Sequence, residues 1–149
     1  MSNEPNDSVD RSFQLFNRME ELHRLNTALE ELGAEFSWTR RSVLDLSLAC
    51  EEVVVNIVNY GYPEGCDGLI EVEFRASREA VEIRLSDRGT PFNPLREADP
   101  LELLEMDIED RPIGGLGIFF VKRLMDETDY KFENGMNRLR LMKKFRIDE

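Results

Sequence analysis

A polar stripe interrupts an otherwise apolar segment of the chain, "ACEEVVVNIVNYGYPEG", which spans residues 49–65. Glu52, Asn56 and Asn59 follow a spacing of i, i+4 and i+7, so on a helix they share one face. A buried carboxylate or amide that lacks a hydrogen bond costs several kcal/mol. The stripe must therefore face protein donors, a wet cleft or a ligand.

The residue types of this stripe suit metal binding and acid–base chemistry. The amide oxygen of Asn56 can ligate Mg²⁺, and Glu52, one turn earlier on the same face, can orient or deprotonate a nucleophile. A structural explanation is equally open, because Glu52 and Asn56 can also satisfy one another or cap neighbouring backbone groups.

Two glycine-containing motifs occur further along the chain. "DRGTPF" places Asp87 at the end of a predicted strand, where a carboxylate can accept from an amino group, and Gly89 lets a flat ring approach the backbone. "GGLG", with Gly114, Gly115 and Gly117, leads into a predicted helix, whose free N–H groups favour phosphate. Each motif alone is also compatible with an ordinary turn or helix cap. Together with the stripe they predict a nucleotide site.

Periodicity and turn signals predict the elements that hold these residues. Ser37 or Thr39 is the expected N-cap of the stripe-bearing helix. The segment 90–113 contains four prolines, which disfavour one continuous helix or strand there. The predicted order begins with a strand at 12–17, a helix at 18–36 whose apolar face ends at Gly33, and then the helix that carries the polar stripe. A hairpin of strands Leu69–Ala76 and Ala80–Asp87 follows, and after it the proline-containing segment. A helix after the glycines and a hairpin around "ENGMN" close the chain.

This order of elements favours an α+β fold. Because the strands occur in hairpins without repeated βαβ alternation, we expect a two-layer sandwich whose mainly antiparallel, mixed sheet is covered by helices on one face. A length of 149 residues and a hydrophobic content of 41% suit one packed core. We expect a disordered N-terminus at residues 1–11 and a single domain at 12–149.

The net charge of −12 argues against direct binding of nucleic acid or of an anionic membrane, and favours a basic protein surface as partner. The polar start "MSNEPNDSVD" is followed by no apolar leader, so a cytoplasmic protein is expected. Cys50 and Cys66 lack the spacing of a zinc site or a disulfide framework and are expected to be free thiols.

The motifs resemble those of a known family in their order along the chain. "EVVVNIVNYGY" resembles the N box of the GHKL (Bergerat-fold) ATPases, "DRGTPF" resembles their first glycine box, and "RPIGGLGIFFVKRLMDETDY" resembles their second. The DxGxPF form, the short chain and the ending "MNRLRLMKK" resemble more narrowly the anti-sigma factor serine/threonine kinases. The resemblance extends over residues 13–144.

This resemblance implies a Bergerat ATP-binding fold and specific roles for the residues in the motifs. Glu52 is the expected general base, Asn56 the Mg²⁺ ligand, Asp87 the adenine contact and Gly89 the residue that shapes the adenine pocket. Residues 93–113 are the expected ATP lid. Phosphate contacts are expected from Gly114, Gly115, Leu116 and Gly117, and from Arg111, for which a rim salt bridge with Glu109 or Asp110 is the alternative.

The resemblance further implies an ATP-dependent protein-serine kinase that phosphorylates a small anti-sigma-factor antagonist protein and controls a sigma factor, with homodimer formation as a further option. The alternative is a nucleotide-gated protein-binding regulator without kinase activity. Two features depart from the family pattern: Tyr60 stands where members often have histidine, and the lid segment is longer and more acidic.

Overall fold

The computed structural model describes residues 8–62, 67–93, 95 and 117–145, with the backbone alone for 117–120. A short 3-10 turn, Met19–Glu21, precedes the first helix. Within the described residues the elements are β1 (Val9–Phe16), α1 (Leu22–Phe36), α2 (Arg40–Tyr60), β2 (Leu69–Ala76), β3 (Ala80–Asp87), α3 (Gly117–Leu124), β4 (Glu127–Glu133) and β5 (Met136–Lys144).

The five strands form one sheet in the order β1-β2-β3-β5-β4. Every ladder between these strands is antiparallel, which confirms the antiparallel α+β sandwich and leaves no mixed pairing among the strands described. Because β5 pairs with β3 in the antiparallel direction, the end of β3 lies beside the beginning of β5. Asp87 and Asn137 are register partners across this ladder.

Alternate residues of the central strands face the helices and form the core. On β2, Ile70, Val72, Phe74 and Ala76 are buried, whereas the residues between them are exposed. The helices add apolar side chains to the same core cluster, and Trp38, between α1 and α2, also donates its indole N–H to the carbonyl of Ser77 at 2.9 Å. This alternation with period two is the pattern expected of a sheet with one covered face.

The other face of the sheet is polar. Arg140 on β5 is ion-paired there with Glu82, Glu127 and Asp129, so opposite charges lie on three neighbouring strands. Among the described residues, no helix is both long and apolar enough to span a membrane.

Several local predictions are confirmed. The strands Leu69–Ala76 and Ala80–Asp87 occur with the predicted bounds. Thr39 is the N-cap of α2, since its Oγ1 accepts the backbone N–H of Ser42 at 3.0 Å. The closing hairpin turns at Asn134 and Gly135, whose φ angles of 55° and 76° are those that an Asn-Gly turn adopts most readily.

The start of β1 and the start of α1, which lies at Leu22 rather than at residue 18, differ from the predictions, whereas α1 ends where predicted. Strand β1 begins at Val9, where it pairs with Ala76, so the expected disorder is wrong for residues 9–11, and residues 1–7 lie outside the described part. Gly33 lies inside α1, which ends at Phe36. A Cβ at Gly33 would lie only 2.6 Å from Cγ2 of Val43, so glycine is needed for close packing of α1 against α2 rather than to end the helix.

Candidate functional site

A buried carboxylate lies at the end of β3. Asp87 is 4% exposed, and its Oδ1 accepts the backbone N–H of Gly89 at 2.8 Å and the side-chain Nδ2 of Asn137 at 3.0 Å. The hydroxyl of Tyr62, just after α2, also bonds to this carboxylate. The acid predicted to contact an amino group is therefore held by donors from three parts of the chain.

Burial raises the pKa of Asp87 above its ordinary value of 3.8, while the hydrogen bonds from Gly89, Asn137 and Tyr62 oppose this rise. Burial, together with the neighbouring negative charge of Asp87, raises the pKa of the Tyr62 hydroxyl to about 12. At neutral pH Tyr62 thus remains a hydrogen-bond donor.

Asn137 is the most highly connected polar side chain of this site. It is 5% exposed, and besides Asp87 its Nδ2 donates to the carbonyls of Gly89 at 3.3 Å and Thr90 at 3.0 Å. Its Oδ1 accepts the backbone N–H of Phe92 at 3.0 Å and the hydroxyl of Tyr130. Asn137 thereby joins β3, β4 and the segment after β3.

Gly89 packs against the end of α2. A Cβ added to Gly89 would lie 2.4 Å from the carbonyl oxygen of Gly61 and 3.1 Å from Cε2 of Tyr62. The backbone N–H of Thr90 also donates to the Gly61 carbonyl at 2.8 Å. Protein atoms therefore require glycine at this position, in addition to the predicted approach of a flat ring.

The polar stripe on α2 changes its exposure along the helix. Glu52 is half-buried, Asn56 is 4% exposed and Asn59 is exposed. Near the exposed end, the rings of Tyr60 and Phe92 pack with their centroids 5.6 Å apart. The stripe thus runs from the region of α3 toward the segment after Asp87.

Glu52 lines an open pocket between α2 and α3. The pocket has a volume of about 420 Å³, and Leu48, Val121 and Leu124 supply apolar walls beside the carboxylate. Partial burial, and secondly repulsion from Glu51, raises the pKa of Glu52 above its ordinary value of 4.5. A carboxylate with a raised pKa at the edge of an open pocket can accept a proton from a group that enters it.

Comparison with known proteins identifies the family of this chain. Residues 16–143 match the model of the histidine kinase-like ATPase domain. The chain belongs to this family. Its expected membership of the histidine kinase-like ATPases is thereby confirmed.

Individual relatives of this ATPase domain are named as protein kinases. The serine-protein kinase RsbW of Listeria innocua is 31% identical over 113 residues, which cover 74% of this chain and 71% of the relative. The serine/threonine-protein kinase BtrW of Bordetella bronchiseptica is 26% identical, with 76% and 78% covered. The fold matches the RsbU and RsbW domains of Rv1364c from Mycobacterium tuberculosis with a TM-score of 0.64 at 18% identity, over 93% of this chain and 33% of that one.

The structure of this ATPase domain brings together some of the predicted residues. The end of α2 meets the Asp87 segment through Tyr62, Gly61 and Gly89, while Glu52 lies further back along α2 at the pocket beside α3. Gly117 is the first residue of α3. The remaining predictions fall outside the described residues: Arg111, Gly114, Gly115, Leu116 and all of the lid 93–113 except 93 and 95. Among the described residues, no group of three or more His, Cys, Asp or Glu side chains is placed to hold a metal ion.

Sequence reasoning missed two residues of the site, Tyr62 and Asn137. Asn137 precedes Leu139 and Leu141 at a spacing of two, and these leucines are buried. An amide on the apolar side of a strand is a signal that could have drawn attention to Asn137. No comparable local signal marks Tyr62, because its role depends on Asp87, which is distant along the chain.

Proposed function

We propose that this chain binds Mg²⁺-ATP and transfers a phosphoryl group to a serine of a small anti-sigma-factor antagonist protein. The observation that carries the proposal is the buried Asp87 carboxylate, held by Gly89, Asn137 and Tyr62 in a chain of the histidine kinase-like ATPase family. The names of the RsbW and BtrW relatives supply the kinase class.

The Asp87 carboxylate is a hydrogen-bond acceptor of the kind that an adenine base requires. A carboxylate that is ionised at neutral pH accepts from the exocyclic amino group of adenine, whereas guanine presents a carbonyl oxygen at the corresponding place. An unpaired buried acceptor is costly, so such a site discriminates strongly between the two bases. Gly89 keeps the adjacent backbone close to the base.

Phosphoryl transfer requires mainly positioning and charge neutralisation, and a bound Mg²⁺ would neutralise part of the phosphate charge of ATP. In this chain Asn56 offers its amide oxygen to Mg²⁺, and Glu52 accepts the proton of the attacking serine hydroxyl. Its raised pKa lies closer to neutral pH, which favours a general base. The proposed phosphate contacts are Gly114, Gly115, Leu116, Gly117 and Arg111. The proposed ATP lid is the segment 93–113.

The proposed partners follow from the kinase class and the charge. An acidic chain with a net charge of −12 attracts a basic surface on the antagonist or on a sigma factor, and the same charge disfavours nucleic acid and membranes. We place this activity in the cytoplasm, where ATP and sigma factors occur, and a homodimer is compatible with it.

Variants of two of the three polar residues of the α2 stripe, Glu52 and Asn56, separate kinase activity from nucleotide binding. Glu52→Gln keeps the size and hydrogen bonding of the side chain but removes the base, so ATP affinity should stay near the wild-type value while phosphoryl transfer falls about 10²-fold or more. Asn56→Ala removes the metal ligand, so both Mg²⁺-ATP affinity and transfer should fall. Calorimetry with Mg²⁺-ATP and transfer of labelled phosphate to the copurified antagonist measure the two effects.

A matched control is Glu30→Gln, which changes an exposed carboxylate on α1 and should leave both quantities unchanged. Transfer by Glu52→Gln at the wild-type rate would exclude Glu52 as the base. A wild-type protein that binds ATP and a partner but transfers no phosphate would instead be a nucleotide-gated regulator.

A further inference from the structure

We propose that Asn137 is a positioning residue for adenine recognition, because its carboxamide fixes both the Asp87 carboxylate and the backbone of residues 89–92. This inference rests on the proposed nucleotide binding. Asn137 belongs to β5, in the ending "MNRLRLMKK" and outside the N box and the two glycine boxes, and its contacts assign its role.

The contacts of Asn137 allow a single orientation of its amide group. Nδ2 faces the Asp87 carboxylate and two backbone carbonyls, of Gly89 and Thr90, and the carbonyls can only accept. Oδ1 faces the backbone N–H of Phe92, which can only donate. A flipped amide would place donor against donor and acceptor against acceptor, so the side chain is locked as observed.

The locked amide determines how the Asp87 carboxylate is presented. Asn137 Nδ2 and the Gly89 N–H both donate to the same oxygen, Oδ1, at 3.0 and 2.8 Å. Two donors on one oxygen fix the plane of the carboxylate and hence the direction of Oδ2. Such preorganisation lowers the cost of ordering the site when a ligand binds.

The same amide holds the backbone beside the carboxylate. Its bonds to Gly89, Thr90 and Phe92 tie the segment after β3 to β5. Since Asn137 is the register partner of Asp87, the β3–β5 ladder places the two side chains next to each other. Loss of Asn137 would therefore loosen both the acceptor and the backbone expected to lie against the base.

Removal of the Asn137 donor would also change the ionisation of Asp87. The titratable groups facing this carboxylate are the hydroxyls of Tyr62, after α2, and Tyr130, on β4, while the neighbouring Arg88 is exposed. Neither tyrosine carries a positive charge that could replace the lost hydrogen bond. The pKa of Asp87 should therefore rise further in a variant without the amide.

The decisive variant is Asn137→Asp, which preserves the shape of the side chain but cannot donate while ionised. Its effect is read as the ratio of ATP to ITP affinity, since ITP lacks the amino group that Asp87 is proposed to bind. We expect this preference to fall about tenfold or more at pH 8. It should recover partly toward pH 6, as the new carboxyl group binds a proton and can donate to Asp87 again.

Tyr130→Phe is the matched control, because it removes one donor to Asn137 Oδ1 and leaves the bonds to Asp87 in place. Its ATP preference should stay within about threefold of the wild-type value. Asn137→Leu is the second variant and carries the test if Asn137→Asp does not fold. An unchanged ATP-to-ITP ratio in a folded Asn137 variant would overturn the proposal.

Titration of the Asp87 carboxyl carbon by ¹³C NMR, without nucleotide, separates this inference from the proposed function. A higher pKa of Asp87 in Asn137→Leu than in the wild type supports the positioning of Asp87 by Asn137. It does so even if the wild type fails to bind ATP and the proposed function is wrong. An equal pKa of Asp87 in the two proteins overturns the positioning role of Asn137, whether or not the wild type binds ATP.

Discussion

At the residue scale, burial of the ionised Asp87 carboxylate lowers the stability of the folded state. Its carboxylate is 4% exposed, and burial raises its pKa above the ordinary value of 3.8 despite three hydrogen bonds. The folded protein therefore binds this proton more readily than the unfolded chain does. The stabilising contribution of the group is present at low pH and is lost as the pH rises through the raised pKa.

Asp87→Asn should therefore increase stability at neutral pH, because a neutral amide can still accept from Gly89 and Asn137 without an ionised group being buried. We expect a gain of roughly 0.5 to 2 kcal/mol in the free energy of unfolding at pH 7.5. The gain should shrink as the pH falls through the raised pKa toward 3.8. Urea unfolding at several pH values measures it.

The same variant should bind ATP at least about tenfold more weakly, since an acceptor for the adenine amino group is lost. Calorimetry provides this second measurement. A variant that is less stable than the wild type at pH 7.5 would contradict the assignment of Asp87 as a costly functional group.

At the element scale, the site depends on the junction between the end of α2 and the segment after β3. The carbonyl of Gly61 accepts a hydrogen bond from the backbone N–H of Thr90, and Gly89 packs against the same carbonyl. The ring of Tyr62 fits beside two glycines, since a Cβ at Gly68 would lie 2.3 Å from its Cε1. Small residues on both sides of the junction allow the helix end to approach the sheet.

Gly89→Ala should destabilise the nucleotide-free protein by about 1 to 3 kcal/mol, because its Cβ would collide with backbone rather than with a flexible side chain. Thermal or urea unfolding measures this effect. Thr90→Ala, at the exposed neighbouring side chain, is the control and should have little effect. If Gly89→Ala weakens ATP binding but leaves the stability of the free protein unchanged, the glycine serves the ligand alone.

At the scale of the whole molecule, a single hydrophobic core connects the sheet with the helices. Cys50 of α2 lies within it, fully buried, and burial raises the pKa of its thiol to about 12. A thiol that is neither exposed nor ionised reacts very slowly. Its reactivity therefore reports the opening of the core.

In a Cys66→Ser background, Cys50 is the remaining cysteine of the sequence. We expect iodoacetamide to label it at pH 8 only where the protein unfolds, with a urea midpoint equal to that of the circular dichroism transition. Mass spectrometry measures the labelled fraction. Labelling of the native protein as fast as that of a free thiol would contradict the packed position of Cys50.

Much of the fold can be predicted because the relevant signals are local. The β2–β3 hairpin follows from strict alternation and a short turn, the Thr39 cap from its hydroxyl before the helix, and the Asn134–Gly135 turn from the positive φ angles that these residues tolerate. These features join residues only a few positions apart. Propensity and steric preference act at that distance, so they can be recognised in one sequence.

The chemistry offered at Glu52, Asn56 and Asp87 could likewise be predicted from residue types and spacing. Their surroundings could not. Asn137 and Asp87 are 50 residues apart in the sequence, and they meet because β5 pairs with β3. Glycine is required at 33 because α1 packs closely against Val43 of α2, and at 89 because the segment after β3 packs against the Gly61 carbonyl. Both approaches exist only in the folded protein.

Residue type and local spacing thus determined which groups this chain offers, together with its hairpins and helix starts. Tertiary structure decided which groups meet, how deeply each is buried and, through burial, how the carboxyl groups of Asp87 and Glu52 ionise. The physical reason is that desolvation and long-range hydrogen bonds depend on strand order and close packing. Neither is encoded by the preferences of neighbouring residues.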